Sequence, residues 1–213
     1  MAEYWNEIEA QVLVLLGNFN PAIIQPAWLA HYGLIRQEES DNAKIEIIRP
    51  EISIFSVGSV RLITQTETFQ IETSAVEEGP TIKDLAIGIF GILEHTPLTS
   101  LGINRDMHFK IAKESTWHKA GHRLVPKDLW GNIMEEPGTR SITVEDNTSK
   151  KHGRLKVRVE PSTKTIPGIY IGTNLHFSVD RPAILAVLEE FWDKSQVEAR
   201  KAADTIMKFC VEG

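Results

Sequence analysis

The sequence contains one cysteine, Cys210, among its 213 residues. A single cysteine excludes a disulfide within the chain and is typical of proteins from a reducing compartment. Long apolar runs are missing too: the longest, from Leu85 to Leu93, is far shorter than the ~20 residues that a membrane-spanning helix needs. We therefore expect a cytoplasmic protein without a membrane-spanning helix.

Positive charge is also scarce. The chain has 23 Lys and Arg residues against 29 Asp and Glu residues, a formal net charge of -6. Proteins that bind nucleic acids usually present a basic face to the phosphates, so DNA or RNA is not the expected partner. One basic cluster, in residues 150–158, defines an alternative in which phosphates would contact Lys150, Lys151, Arg154 and Arg158.

Motifs of catalysis and of cofactor binding are absent. The sequence has no G-x-S-x-G nucleophile elbow and neither of the glycine patterns that bind nucleotide phosphates. Cys210 lies on an apolar stripe, which is typical of a buried side chain rather than of a nucleophile. We therefore predict no catalytic residue and no cofactor, and we expect that the protein is not an enzyme.

One apolar pattern occurs twice in the chain. Large apolar residues follow Pro80 at Ile82, Leu85, Ile89 and Phe90, and they follow Pro182 with the same spacing at Ile184, Val187, Phe191 and Trp192. Each run follows a strand-like segment, and a proline near the first position of a helix gives up no intrahelical hydrogen bond. The pattern predicts two equivalent helices, at 81–95 and from about 182 to 210, each packed on an antiparallel sheet.

The other segments surround these two helices with shorter elements. Strands are predicted at 12–16, 45–55 (interrupted at Pro50), 60–64, 69–73, 107–111, 141–144, 155–159 and 169–177. Shorter helices are predicted at 3–10, 26–33, 114–122 and 126–132. Both halves then have the order strand, helix, three antiparallel strands, helix.

This order predicts an α+β protein of two tandem repeats, residues 1–100 and 101–213, packed together as one globular unit. It is similar to the topology of the TATA-binding-protein type of fold. The resemblance implies helices on one face of a curved antiparallel sheet, and it carries no function with it. The last helix is longer than its own sheet, and its apolar stripe from Ala199 to Cys210 is expected to cover the other half of the chain or a second copy.

Reactive side chains are concentrated in residues 104–130. The candidate binding residues are Arg105, Asp106, His108, Trp117, His118, His122 and Trp130. Tryptophan is favoured at protein interfaces, and both tryptophans of this set lie in segments with little apolar periodicity. We expect a subunit of a larger cytoplasmic assembly that binds a protein partner, or a homo-oligomer, through these residues.

An alternative use of the same segment is metal binding. Glu114, His118 and His122 are spaced so that a helix would carry them on one face. Two imidazoles and one carboxylate can hold zinc with one position left for water. The alternative function is therefore a metal-dependent or small-molecule-dependent enzyme that uses the polar cluster of 104–130. Lys119 stands where an H-E-x-x-H motif would carry its catalytic glutamate.

Overall fold

A computed structural model describes residues 4–146, 153–181 and 183–211. In these ranges the chain is α+β, as predicted, with a nine-stranded antiparallel sheet and five α-helices. The strands are β1 (Tyr4–Gly17), β2 (Lys44–Arg49), β3 (Ile52–Val57), β4 (Val60–Gln65), β5 (Thr68–Thr73), β6 (Leu98–Ile111), β7 (Ile142–Glu145), β8 (Arg154–Pro161) and β9 (Gly168–Ser178). The helices are α1 (Pro26–His31), α2 (Gln37–Asp41), α3 (Gly79–Ile92), α4 (Glu114–Leu124) and α5 (Ala183–Val211).

The strands form one continuous sheet in the order β2-β3-β4-β5-β1-β6-β9-β8-β7. The two longest strands, β1 and β6, pair in its middle, with Leu13 opposite Ile103. This pairing joins the strands of the first half of the chain (β1 to α3) to those of the second half (β6 to α5). None of the described helices is both long enough and apolar enough to cross a bilayer.

All the large helices pack on the same face of this sheet. Strand side chains alternate accordingly: in β1, Leu13 and Leu15 are buried under the helices, whereas Val12 and Val14 are only half-buried on the opposite face. Such alternation is typical of an antiparallel sheet that is covered on one side. We call the uncovered side the open face.

The covered side contains two separate apolar cores. The first core joins α3 to β1, β5 and the N-terminal part of α5, which contributes Ile184, Leu188, Phe191 and Trp192. The second core joins α4 to β6, β9 and the C-terminal part of α5, which contributes Ala199, Ala203, Met207 and Cys210. The stripe on α5 is therefore buried within the chain. It covers its own half of the chain, with Tyr4 of β1 packed against the same core.

Three local predictions are wrong. Of the predicted helix 3–10, the described residues from Tyr4 onwards form a strand that pairs with β6, and this tertiary pairing overrides their local polarity. Residues 45–55 form two strands of a hairpin rather than one interrupted strand. Residues 126–132 form turns instead of a helix.

Candidate functional site

A row of polar side chains crosses the sheet between the two cores. Thr73, Gln11, Arg105 and Thr173 lie directly opposite one another on β5, β1, β6 and β9, and all four are buried under the helices. We call this set the polar row. It separates the first core from the second, because apolar side chains occupy the same face on both sides of it.

Arg105 is the centre of the polar row and is 1% exposed. Its guanidinium donates to the Oγ of Ser195 at 3.2 Å, to the carbonyl oxygen of Trp192 at 2.9 Å and to the Oε1 of Gln11. It also lies 4.1 Å from the centroid of the Trp192 ring. Burial lowers the pKa of Arg105 to about 10, with the charge of Glu9 acting in the opposite direction. Arg105 is thus a charged residue of the interior at neutral pH.

Glu9 is a second buried ionisable residue beside the polar row. Its carboxylate accepts hydrogen bonds from the side-chain amides of Asn6 and Gln196 at 3.1 and 2.9 Å. Arg200 Nη2 lies 2.9 Å from the same carboxylate. These contacts join β1 to the middle of α5, where the helix passes from one core to the other.

Asp106 and His108 project from the open face instead. The hydroxyl of Tyr170 donates to Asp106 Oδ1 at 2.5 Å and accepts from Arg158 Nη2 at 3.0 Å. Gly172 leaves room for this arrangement, because a Cβ there would lie 2.1 Å from the Tyr170 hydroxyl. Burial raises the pKa of Tyr170 to about 12. The phenol therefore stays protonated at neutral pH.

His108 is held by a turn after β8. Its Nδ1 lies 2.8 Å from Ser162 Oγ, and this oxygen also accepts from the backbone N–H groups of Lys164 and Thr165. Because the serine oxygen accepts twice, its own proton points to Nδ1, and the ring hydrogen of the neutral imidazole lies on Nε2. Ser162 therefore stabilises a turn, and its hydroxyl is buried with its hydrogen-bonding capacity used within the fold.

The stability of the fold should depend on the protonation of His108. Burial lowers the pKa of His108 in the folded chain, so the unfolded chain binds the proton more readily. The free energy of unfolding should therefore decrease as the pH falls below the ordinary histidine pKa of about 6.5. We expect His108→Gln to reduce this decrease in urea titrations at about pH 7.5 and about pH 5.

A second histidine contributes to the same pH dependence. Burial also lowers the pKa of His176, so His176→Gln should change the same pH dependence in the same direction. A combined variant should be less sensitive to acid than either single variant. An unchanged pH dependence in His108→Gln would contradict the prediction.

Helix α4 carries the three residues predicted as alternative metal ligands. Glu114 Oε1 lies 3.7 Å from His118 Nε2, and both side chains are largely exposed. His122 lies one turn further along and is exposed as well. Among the residues that the structure describes, no three His, Cys, Asp or Glu side chains are grouped so that they could hold a metal ion.

The basic stretch of residues 150–158 is only partly described. Lys150 and Lys151 lie outside the described residues. Arg154 and Arg158 lie on β8, where Arg154 Nε is 2.8 Å from Glu145 Oε1 and Arg158 Nε is 3.6 Å from Glu160 Oε1. These carboxylates offset part of the positive charge that phosphates would need.

A cavity of about 430 Å³ lies between α4 and strands β7, β8 and β9. Its volume falls in the range of small-molecule pockets, about 300–1,000 Å³. The walls are mainly apolar and include Trp117, Leu124, Ile142, Val159 and Ile169. Trp117 is fixed in place because its Nε1 donates to the carbonyl oxygen of Gly168 at 2.8 Å.

A short exposed segment, residues 129–134, follows α4. We call it the apolar turn, because four of its six side chains are large, apolar and exposed: Leu129 at 74%, Trp130 at 36%, Ile133 at 70% and Met134 at 49%. Three backbone hydrogen bonds of 2.8–2.9 Å organise it, one to the carbonyl of Lys127 and two to that of Trp130.

No protein-family model matches this chain, and no curated protein is detectably similar to it. The assignment of a function therefore depends on the geometry of these sites.

The structure divides the predicted binding residues among several places. Strand alternation puts Arg105 inside and its neighbours Asp106 and His108 on the open face. Trp117 and His118 line the cavity, His122 lies on the exposed surface of α4, and Trp130 belongs to the apolar turn. The predicted binding residues thus lie in different places, and their role in binding stays a prediction.

The predicted binding set lacks the partners of Trp130. Leu129, Ile133 and Met134 are exposed beside Trp130 but are not among its members. Their signal is the lack of a helical period, together with Gly131 and the acidic residues on both sides.

Proposed function

We propose that the protein is a non-enzymatic, protein-binding subunit that inserts the apolar turn into a groove on its partner. The exposure of four large apolar side chains within six residues carries this proposal. Single exposed apolar residues are ordinary, whereas a contiguous group of them is typical of an interaction site. Their burial against a partner would be favourable by about 25 cal/mol for each Å² of apolar area.

The backbone of the apolar turn favours binding by a preformed structure. The N–H of Trp130 donates to the carbonyl of Lys127, and the N–H groups of Ile133 and Met134 both donate to the carbonyl of Trp130. A segment organised before binding loses less conformational entropy when it is immobilised. Trp and Met are also enriched in the cores of protein interfaces.

Charge around the apolar turn defines the chemistry of the partner. Asp128, Glu135 and Glu136 flank it and are exposed, and none of them forms an ion pair in the described part of the chain. The neighbouring base, Lys127, donates to the hydroxyl of Thr139. A complementary partner is therefore a protein with an apolar groove and a basic rim. The same acids oppose binding to an anionic membrane surface.

Site-specific photo-crosslinking in cells tests this proposal. Benzoylphenylalanine at Ile133 should give a discrete crosslinked product with another protein. The matched control is the same residue at Phe209, an exposed aromatic position on α5 that is 55% exposed. Equal crosslinking from both positions, or crosslinking only to a second copy of this chain, would overturn the proposal of a different protein partner.

A direct measurement of binding completes the test, because capture alone does not establish that the apolar turn is the binding site. The captured protein is purified and titrated by calorimetry against the wild type and against Leu129→Ser/Ile133→Ser. Two hot-spot residues at about 2 kcal/mol each would give a loss of affinity on the order of 1,000-fold. An unchanged affinity in the double variant would refute the proposed function. Co-sedimentation of the wild type with anionic vesicles, in place of binding to the captured protein, would refute it as well.

We also propose that the two halves are copies of one unit with the TATA-binding-protein type of topology, with boundaries at 1–100 and 101–213. In support, β1, β3–β5 and α3 have counterparts in β6, β7–β9 and α5, in the same order along the chain and mirrored across the β1–β6 pair. Strand β2 has no counterpart among the described residues. Chain superposition of an experimental structure would test the relationship.

Phosphate binding through residues 150–158 has less support than protein binding through the apolar turn. The ion pairs of Arg154 with Glu145 and of Arg158 with Glu160 weigh against it, because each pair already offsets a positive charge. We therefore do not propose nucleic acid as the partner.

We further propose a cytoplasmic location, on the support of the single cysteine. Cys210 is buried, and burial raises the pKa of its thiol to about 11. A thiol with so high a pKa is largely unreactive at neutral pH, as expected of a structural cysteine in a reducing compartment.

A further inference from the structure

We propose that the cavity between α4 and strands β7–β9 binds a small aromatic molecule of no net charge. This site is separate from the exposed side chains of the apolar turn and does not depend on the function proposed for them. Three features point to this ligand: the shape of the cavity, the balance of charge around it and the position of one glycine.

The walls of the cavity define an apolar ligand. Leu124, Ile142, Val159 and Ile169 contribute aliphatic groups from α4 and from all three strands. Trp117 adds an aromatic wall, and because its indole N–H is already bonded to the Gly168 carbonyl, it offers the cavity no unsatisfied donor. A flat ring can pack against such a surface at a favourable offset or edge geometry.

The charged side chains around the cavity balance one another. Two acids line the cavity, and each has a base near it: Glu160 lies 3.6 Å from Arg158, and Glu136 lines the same cavity as Lys127. A ligand with a net charge would therefore meet no excess of the complementary charge. Hydrogen bonding at one end is available from the Lys127–Thr139 pair.

Gly121 provides an independent indication that this space is used. It lies within α4 and lines the cavity, and a Cβ added there would meet nothing within 4 Å. Its backbone does not have the positive φ that would favour glycine. Glycine in a helix interior is about 1 kcal/mol less favourable than alanine. Neither packing nor backbone conformation requires this glycine, whereas a side chain there would occupy the cavity.

Fluorescence titration with N-phenyl-1-naphthylamine tests the site. This uncharged dye should bind the full chain saturably at one site. Its sulfonated relative, 1-anilinonaphthalene-8-sulfonate, has the same ring system with a negative charge and should bind at least about tenfold more weakly. Absence of saturable binding, or tighter binding of the sulfonate, would overturn the proposal.

Variants locate the bound dye. Gly121→Leu should weaken dye binding by at least about tenfold, because the new side chain would fill the cavity. It should not lower the melting temperature, because leucine is favoured over glycine within a helix. Gly91→Leu is the matched control, since Gly91 also lies in a helix with nothing within 4 Å of an added Cβ but lies away from the cavity. Gly138→Leu, in the loop that lines the cavity, should reproduce the effect if Gly121→Leu folds poorly.

A further variant separates this site from the apolar turn. Leu129→Ser/Ile133→Ser should leave dye binding unchanged. The test of the cavity therefore gives its answer whether or not the apolar turn binds a protein partner. Loss of dye binding in this variant would show that the dye binds the exposed turn, which would refute the cavity site. Unchanged binding in both Gly121→Leu and Gly138→Leu would refute it as well.

Discussion

Truncation after Lys194 is expected to unfold the protein. The removed part of α5 contributes Ala199, Ala203, Met207 and Cys210 to the second core. Burial of a large apolar side chain stabilises a fold by about 1.5–3 kcal/mol, and whole domains have a stability of about 5–15 kcal/mol. Loss of this half of the helix also removes Ser195 and Arg200, the partners of Arg105 and Glu9. Circular dichroism should show no cooperative thermal transition.

Two point variants measure how much single side chains on this part of α5 contribute to stability. Met207→Ala should lower the free energy of unfolding by about 2–5 kcal/mol, because Met207 is fully buried. Val197→Ala is the control on the same helix, and because Val197 is exposed its effect should stay within about 0.5 kcal/mol. A truncated chain that melts cooperatively as a monomer would contradict the prediction. An oligomer that separates into folded monomers would instead assign the stripe to a contact between copies.

Replacement of Arg105 by alanine is expected to lower the free energy of unfolding by about 3–5 kcal/mol. The variant loses charged hydrogen bonds to Ser195 and to the Trp192 carbonyl, and it leaves the Gln11 amide oxygen buried without this donor. It also leaves a large cavity next to the Trp192 ring. Urea denaturation at neutral pH measures the change.

Lysine and a surface arginine provide the controls for Arg105. Arg105→Lys keeps the charge but lacks the planar group that reaches several acceptors at once, so it should recover only part of the lost stability. Arg36→Met removes a side chain that is 75% exposed and paired with Glu39, and its effect should stay within about 1 kcal/mol. Equal stability of Arg105→Ala and the wild type would show that the polar row does not depend on Arg105.

The sequence predicts the elements with strong periodicity and misses those defined by tertiary pairing. The helical face predicted for α3 is correct, since Ile82, Leu85, Ile89 and Phe90 are all buried. In α5 the prediction differs from the structure at one position: Val187, predicted on the buried face, is only half-buried, and its neighbour Leu188 is buried instead. The first part of β1 escapes prediction because its polar residues find partners on α5, and no local pattern in the sequence reports a contact that far along the chain.

The candidate sites are harder to predict than the fold. Proximity in the sequence groups Arg105 with Asp106 and His108, although a strand places successive side chains on opposite faces. The cavity walls come from α4, β7, β8 and β9, so their proximity depends on the folded topology. Trp130 belongs to the predicted binding residues and is 36% exposed, whereas its exposed neighbours Leu129 and Ile133 do not belong to that set.

The polar row also specifies how the two halves align. Strands β1 and β6 have mostly aliphatic side chains on the covered face, and such strands could pair in more than one register with little difference in contact area. A slip of two residues toward the first core would place Arg105 opposite Leu13, with its guanidinium among aliphatic groups and without the amide of Gln11. That arrangement would be strongly unfavourable. A single buried arginine thus discriminates against misaligned pairings at the junction of the sheet, a role that contributes to structural uniqueness rather than to affinity or catalysis.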